Sequence, residues 1–246
     1  MKSTDRAQEK TYNLAMTRLS VIIPLAPNET AWQSLLADLD KLPDGTEILF
    51  VKSESSNTNI DETPVLAKKE IKILIDQQPG RAAHMNAGAA KAQGKYLWFL
   101  HADSKFGPDT LTALLRAITH HPHSLLYFDL AFLKDASFLM CINNWGVYFR
   151  SRVLKLPFGD QGFCISKALF TRIGGFLDGL NYGEDHVFVW RARQQGIRVQ
   201  PVGARLYTSA RKYKKHGWLK TTLLHQYLWI KQAWPEWKKL KQGRTA

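Results

Sequence analysis

An α/β protein with a mostly parallel, doubly wound sheet is predicted from three observations. First, four short apolar runs of strand length alternate with stretches of helix length, the order that gives a parallel sheet covered by helices. Second, the run Leu97-Trp98-Phe99-Leu100 stops abruptly in His101-Ala102-Asp103. A buried strand ending this way delivers a carboxylate to the carboxyl edge of the sheet, where open α/β folds bind ligands. Third, acidic loop residues recur in Gly159-Asp160-Gln161-Gly162 and in Gly183-Glu184-Asp185, the latter just ahead of a helix. Three acidic loop sites in one such chain suggest a metal, a phosphate ligand and a base.

The elements follow in order. Leu19 to Ile23 reads as a buried strand stopped by Pro24. Trp32, Leu35, Leu36 and Leu39 fall at i, i+3, i+4 and i+7, an amphipathic helix for which Asn28 is the expected N-cap. Pro43-Asp44-Gly45 turns the chain into a second strand, Glu47 to Val51, and after a polar loop Ile71 to Ile75 forms a third. Pro79-Gly80 opens an alanine-rich helix from Arg81 to Gln93, with Gly94 as its expected stop. The strand ending at Leu100 is the fourth. Gly107-Pro108-Asp109 starts a helix with Leu111, Leu114, Leu115 and Ile118 on one face. Beyond it, a strand from Leu125 to Leu133, a short helix from Ser166 to Ile173, a helix from Asp185 to Gln195 and a strand from Arg198 to Val202 are expected.

The 246 residues are enough for one large domain, or a domain with an appendage, and 45% hydrophobic content is ordinary globular usage. No run approaches the roughly 18 apolar residues of a membrane span. The start of the chain, with Asp5, Arg6, Glu9 and Lys10, has no apolar core of a signal peptide, so a cytoplasmic protein is expected. Cys141 and Cys164 make neither a metal set nor a disulfide framework and read as buried thiols. His120-His121-Pro122-His123 reads as an exposed loop. The net charge of +13 is unevenly placed: from Arg211 to Ala246, ten Lys or Arg stand against Glu236 alone. The expected organisation is a flexible lead-in over 1–17, a catalytic domain over 18–210 and a basic, tryptophan-rich helical extension over 211–246.

The motifs carry a resemblance. Gly80-Arg81-Ala82-Ala83-His84-Met85-Asn86-Ala87-Gly88-Ala89 and Leu100-His101-Ala102-Asp103 match the pattern G-R-A-x-x-M-N-A-G-A followed by L-H-A-D. The match continues through Phe158-Gly159-Asp160-Gln161, Gly174-Gly175-Phe176, Glu184-Asp185 and Ser209-Ala210-Arg211. In this joint order and spacing the chain resembles a bacterial subgroup of the family-two glycosyltransferases, from about Leu19 to Arg211. The resemblance implies the GT-A fold and transfer of a sugar from a nucleoside-diphosphate sugar to a hydroxyl of a glycan, lipid carrier or small molecule, inverting and dependent on Mg2+ or Mn2+.

The resemblance also implies roles. Asp103 stands where the D-x-D motif places its metal-binding carboxylate, which helps a diphosphate to leave. His101 replaces the first Asp of that motif, as a metal or ribose contact. Asp185 is the general base that deprotonates the acceptor, and Glu184 orients it or bonds the acceptor. Pro24, Arg81, Asn86 and Arg211 fall among the nucleotide contacts, Arg81 at a helix start suited to anions. Asp160 and Gln161 lie in the acceptor-side loop. Where the family has a nucleobase-holding Asp after the second strand this chain has Lys52, and a cation cannot accept the uracil N–H; Glu54, two residues on, is its substitute. On the residues alone, Asp103 equally suits an exposed turn, Asp185 a helix N-terminal acid, Arg81 a solvated helix face and Gly159–Gly162 a plain turn.

Trp218, Trp229, Trp234 and Trp237 are interleaved with the basic residues of the tail. That pattern suits an interfacial helix on the anionic inner face of a membrane, and equally a helix packed on the domain with a solvated basic face. Nucleic acid is not an expected partner, since no recognition motif accompanies the charge. Two rival readings stand beside the enzyme: a non-catalytic relative of the same fold, motivated by Lys52 and His101, and a basic surface-binding module.

Overall fold

A computed structural model describes residues 19–58, 60, 68–132, 140–180, 182–208 and 218–242. The expected lead-in and the Ser209-Ala210-Arg211 motif lie outside the described residues. One eight-stranded sheet runs through the protein in the order β3-β2-β1-β4-β7-β6-β8-β5. The first half is β1 (Leu19–Pro24), α1 (Trp32–Leu39), β2 (Glu47–Ser53), β3 (Glu70–Asp76), α2 (Arg81–Lys91), β4 (Tyr96–Phe99), β5 (Lys105–Phe106) and α3 (Thr110–His120). The second is β6 (Ser124–Phe132), α4 (Met140–Arg152), a 3-10 turn at Gly159–Gln161, β7 (Cys164–Ser166), α5 (Lys167–Ile173), α6 (Glu184–Gln194), β8 (Arg198–Thr208) and α7 (Trp218–Gln242).

Strands β3, β2, β1 and β4 are mutually parallel, with Ile22 opposite Leu49 on one side and Phe99 on the other. Both faces of β1 are covered, which is why it reads as an unbroken apolar run. Alternate residues serve two cores. Leu19, Val21, Ile23 and Trp98 pack with Trp32 and Leu35 of α1 and Leu114 and Ile118 of α3. Ile22, Leu97 and Phe99 pack with Met85 of α2, Phe170 of α5 and Phe188 of α6. Close approach of α2 to the sheet requires a glycine at 88: a Cβ there would lie 2.6 Å from Ile22 Cγ2. Because β1 is flanked by β2 and β4, the strand order reverses at β1, and the crevice beyond their carboxyl ends is where such sheets bind ligands.

The sheet is mostly parallel, as expected, with β7 antiparallel to β4 and β6 and β5 antiparallel to β8. Several local expectations are corrected. Asn28 does not cap α1; it sits at φ +58, and Glu29 Oε1 accepts the entry N–H groups of Thr30 and Ala31 at 3.1 and 3.0 Å. Helix α2 ends at Lys91 rather than near Gly94. Buried Glu47 draws the following chain onto the sheet: Gln93 N–H donates to Glu47 Oε2 at 2.8 Å, Gly94 N–H to Ser20 Oγ at 2.8 Å, and Ser20 Oγ to Glu47. The last strand continues past Val202 to Thr208. Cys164 is buried and its thiol is pushed up by burial, as expected; the Cys141 side chain lies outside the described residues.

The described part of the tail divides its aromatic residues between the core and the outer surface. Trp229, Ala233 and Leu240 of α7 pack on the second core against α6, while Ile230, Trp234 and Trp237 face outward. Among the described residues no helix is long and apolar enough to cross a membrane.

Candidate active site

The carboxyl edge of the sheet gathers Pro24 from β1, Lys52 and Glu54 at the end of β2, and His101 and Asp103 just past β4. Two helix starts converge on it. Gly80, at φ +119 and ψ 150, holds a backbone conformation open only to glycine and turns the chain so that α2 begins with Arg81. Gly183, at φ +85 in the left-handed region that glycine favours, leads into α6, which begins with Glu184 and Asp185.

Arg81 ties these parts together. Its Nε donates to Glu184 Oε1, its Nη2 lies 3.8 Å from Asp185 Oδ2, and its Nη1 lies 3.2 Å from His101 Nε2. Asp185 is buried, with Oδ2 accepting from Gly159 N–H at 2.6 Å and Oδ1 from its own neighbour, His186 N–H, at 2.8 Å. Burial pushes its carboxyl up, but the Arg81 guanidinium and these two N–H groups more than offset that, so it titrates below the ordinary carboxylate range. A side chain at Gly159 would stand 3.1 Å from Asp185 Oδ2, so the bare glycine is what lets this turn reach the carboxylate.

Asp160 is the anomaly. Its Oδ1 is buried without a hydrogen-bond partner, and burial pushes the carboxyl up to about 6. Arg150 pulls it down while Asp185 and Asp103 push it up. Asp103 is half-buried, its Oδ2 accepting a long 3.4 Å bond from Thr208 Oγ1.

Two residues expected at ligands have their side-chain amides engaged within the protein. Asn86, expected at the nucleotide, has both ends of its amide engaged in the protein: Oδ1 accepts from Phe176 N–H at 2.9 Å, and Nδ2 donates to Phe176 O at 2.9 Å and Asp178 Oδ1 at 3.1 Å. It clasps α2 to the turn after α5. Gln161, expected at the acceptor, is wholly buried; its Nε2 donates to Phe128 O at 2.8 Å and its Oε1 accepts from Phe158 N–H at 3.1 Å. It braces the turn that carries Asp160. Glu54 is exposed. Lys52 Nζ donates to Thr58 O at 2.7 Å and Ser56 O at 3.5 Å, pinning the loop after β2. Arg211 lies outside the described residues.

The sequence reading missed Arg150 and His186. Buried Arg150 has its guanidinium carbon 3.2 Å from the centre of the Phe158 ring and acts on both Asp160 and His186. No motif marks it. His186 directly follows the Glu-Asp pair; its Nε2 accepts from Trp190 Nε1 at 2.9 Å. Burial pushes it down to about 4, with Asp185 pulling back up.

This gives a pH prediction. Between pH 6.5 and about 4 the unfolded chain binds a proton at His186 that the native chain refuses, so stability present above pH 6.5 is lost as pH falls, by about 3 kcal/mol at pH 4. Asp160 works the other way: with its carboxyl raised to about 6, its contribution is present at low pH and lost as pH rises through 6. Replacing His186 with Gln keeps an acceptor for Trp190, removes only the first effect, and should raise the melting temperature relative to the parent more at pH 4.5 than at pH 7.5. An equal shift at both values would show that His186 does not titrate this way.

As for a divalent metal, no three His, Cys, Asp or Glu side chains among the described residues form a cage. Mg2+ and its relatives often need no cage, being held by one or two carboxylates with substrate phosphates and water. Asp103 fits that role, and the buried Asp160 Oδ1 has no hydrogen-bond partner to hold it. His101 as placed fits less well, because its Nε2 faces the Arg81 guanidinium.

A mixed sheet flanked by helices, with its crevice at the strand-order reversal, is the GT-A arrangement. The chain is similar in structure to S. aureus TarS residues 1–349, with a TM-score of 0.61 and 19% identity over 78% of this chain and 60% of that one. The same protein in complex with UDP-GlcNAc gives 0.62 and 19%, over 79% and 59%. The model of Glycosyl transferase family 2 matches residues 20–174, and the chain belongs to that family. An uncharacterized glycosyltransferase of Rickettsia conorii is 33% identical over 104 residues, which span 41% of this chain and 17% of that protein.

Proposed function

We propose that this chain transfers a glycosyl group from a nucleoside-diphosphate sugar to an acceptor hydroxyl, with inversion and with Mg2+ or Mn2+ held by Asp103. The observation that carries this reading is Asp185: a buried carboxylate at the start of α6, held by Gly159 N–H, paired with Arg81 and acting with Asp103 on the same Asp160 carboxyl. As general base it takes the acceptor proton while the acceptor oxygen bonds to the anomeric carbon; the bond from that carbon to phosphate breaks, and the diphosphate leaves with the electron pair. The metal would neutralise charge on that leaving group.

Arg81 has two claims on it. It is paired with Glu184 and Asp185. The N-terminus of α2 and the guanidinium also suit a diphosphate. When the diphosphate draws Arg81 away, the stabilisation of the Asp185 anion weakens and its proton affinity rises toward what a base needs. Glu184 orients the acceptor. Asp160 lies on the acceptor side, and Pro24 and Glu54 border the nucleotide.

The acceptor is a glycan, lipid-carrier or small-molecule hydroxyl, and the charge of the tail adds an anionic membrane surface, at the inner face of the cytoplasmic membrane, as a partner. A thermal-shift panel of nucleoside diphosphates and sugar nucleotides, with and without Mn2+, tests the donor, since a ligand of the native state raises stability by mass action. No shift with any of them would favour a non-catalytic relative. The TarS complex with UDP-GlcNAc makes uridine the first arm of that panel.

Lys52 bears on the base. With an ammonium in place of a carboxylate, uridine discrimination should be weak, and Lys52→Asp should raise the ratio of uridine to other nucleoside-diphosphate affinities. The ratio is the proper readout, because the substitution also frees the carbonyls of Ser56 and Thr58. Strong uridine selectivity in the unmodified protein would assign that contact to Glu54 or to backbone groups.

A further inference from the structure

Helix α7 carries two apolar stripes about 100° apart. Trp229, Ala233 and Leu240 pack on the core. One residue further round, Ile230 is 59% exposed, Trp234 59% and Trp237 39%, at i, i+4 and i+7. The two outer tryptophans stack at 5.5 Å, with Lys238 Nζ 5.3 Å from the centre of Trp234 and Lys241 Nζ 4.2 Å from that of Trp237. A second exposed apolar set lies in the turn leading to the base: Leu177, Leu180 and Tyr182, the last 70% exposed. The two sets are joined. Gln232 Nε2 donates to Tyr182 O at 2.8 Å, and Gln232 Oε1 lies 2.0 Å from where a Cβ on Gly183 would stand. The residue after Gly183 is Glu184.

The occupant follows from chemistry. A second copy of a chain carrying +13 meets strong like-charge repulsion on this face. Nucleic acid would answer the lysines but has no use for Ile230, Leu177 and Leu180. An anionic bilayer answers both: tryptophan prefers the headgroup level, apolar side chains enter the acyl boundary, and basic residues are drawn to the negative surface.

We propose that the outer stripe of α7 and the exposed side chains of Leu177, Leu180 and Tyr182 form one docking surface for an anionic lipid bilayer, latched through Gln232 to Tyr182, two residues before Glu184 opens α6. This deepens the membrane partner of the proposed function and rests on that part of it alone, not on the donor chemistry. Docking there sets the base-bearing end of the crevice beside the lipid headgroups.

The test is cosedimentation of the full chain with neutral vesicles and with vesicles of about one-third anionic lipid at low salt. Two variants accompany it, Trp234→Ser with Trp237→Ser, and Leu177→Ser with Leu180→Ser; all four positions are exposed, and a melt in the presence of nucleotide checks each fold. The intact protein should pellet with anionic vesicles only, and each variant should lose about 10-fold or more of its partitioning. An intact protein left in the supernatant overturns the membrane partner while leaving the nucleotide shifts untouched. A turn variant that binds as well as the parent overturns the composite surface. Sedimentation of a dimer that the tryptophan variant dissociates, or stronger binding to RNA than to vesicles, assigns the surface to those partners and overturns the proposal.

Discussion

Asp185→Asn is expected to cut turnover about 100-fold or more while leaving nucleoside-diphosphate affinity within a few fold, the usual scale for losing a general base. Asn has the same shape, and its one amide oxygen can still accept from Gly159 N–H while the bond from His186 N–H is given up, so the turn at Gly159–Gln161 should keep its place. What goes is the site that takes the acceptor proton. The charge lost is also one of the two that hold Arg81, and Glu184 retains the other through its bond to Nε. The guanidinium therefore stays near the crevice for the diphosphate, which is why binding should survive. Single-turnover kinetics at saturating donor and acceptor read the chemical step, and calorimetry reads the affinity. In the parent, the acid limb of kcat against pH follows the base in the ternary complex, and this limb should vanish in the variant. Near-normal turnover would instead reduce Asp185 to a helix N-terminal charge, worth about 0.3–1 kcal/mol to the fold.

How much of this was legible in the sequence differs by element. Strands β1, β2 and β4 are covered on both faces, so their apolar runs announced them. Helix α3 showed itself because Leu114, Leu115 and Ile118 all turn inward. Strands β5 and β7, of two and three residues, are too short to show any period. Helix α4 went unnoticed because Trp145, Tyr148 and Phe149 point outward, so its aromatics obscure the amphipathic pattern. The candidate site shows the same division. Arg81, Glu184 and Asp185 stand at helix starts that local sequence marks with glycine, and the structure brings them together. The work of Asn86 and Gln161 is set by partners 90 and 33 residues away, which no local pattern encodes. Arg150 depends likewise on the packing of α4 beside the turn that holds Phe158 and Asp160.

Asp103→Asn is expected to remove the Mn2+ dependence of nucleotide binding and to leave the fold intact. Asp103 follows β4 in a turn, half-buried, and a single 3.4 Å bond from Thr208 Oγ1 is too long to hold it firmly. A carboxylate so loosely engaged is free to serve a cation. Asn preserves the shape and the Thr208 contact but removes the charge that a hard divalent ion requires. Where a metal and a nucleotide favour each other's binding, the coupling is typically 5–150-fold, and in this variant the ratio of affinities with and without Mn2+ should fall to near one. Misfolding would give the same loss, so stability must be read alongside. The Asp103 charge pushes the buried Asp160 carboxyl up, and its removal relieves that repulsion. The variant should therefore melt no lower than the parent at pH 7.5. Calorimetric titration of uridine diphosphate with and without Mn2+, paired with melts in the absence of ligand, separates the outcomes. An unchanged Mn2+ ratio in a variant of parental stability would take Asp103 out of the metal role and leave it a turn acid beside Thr208.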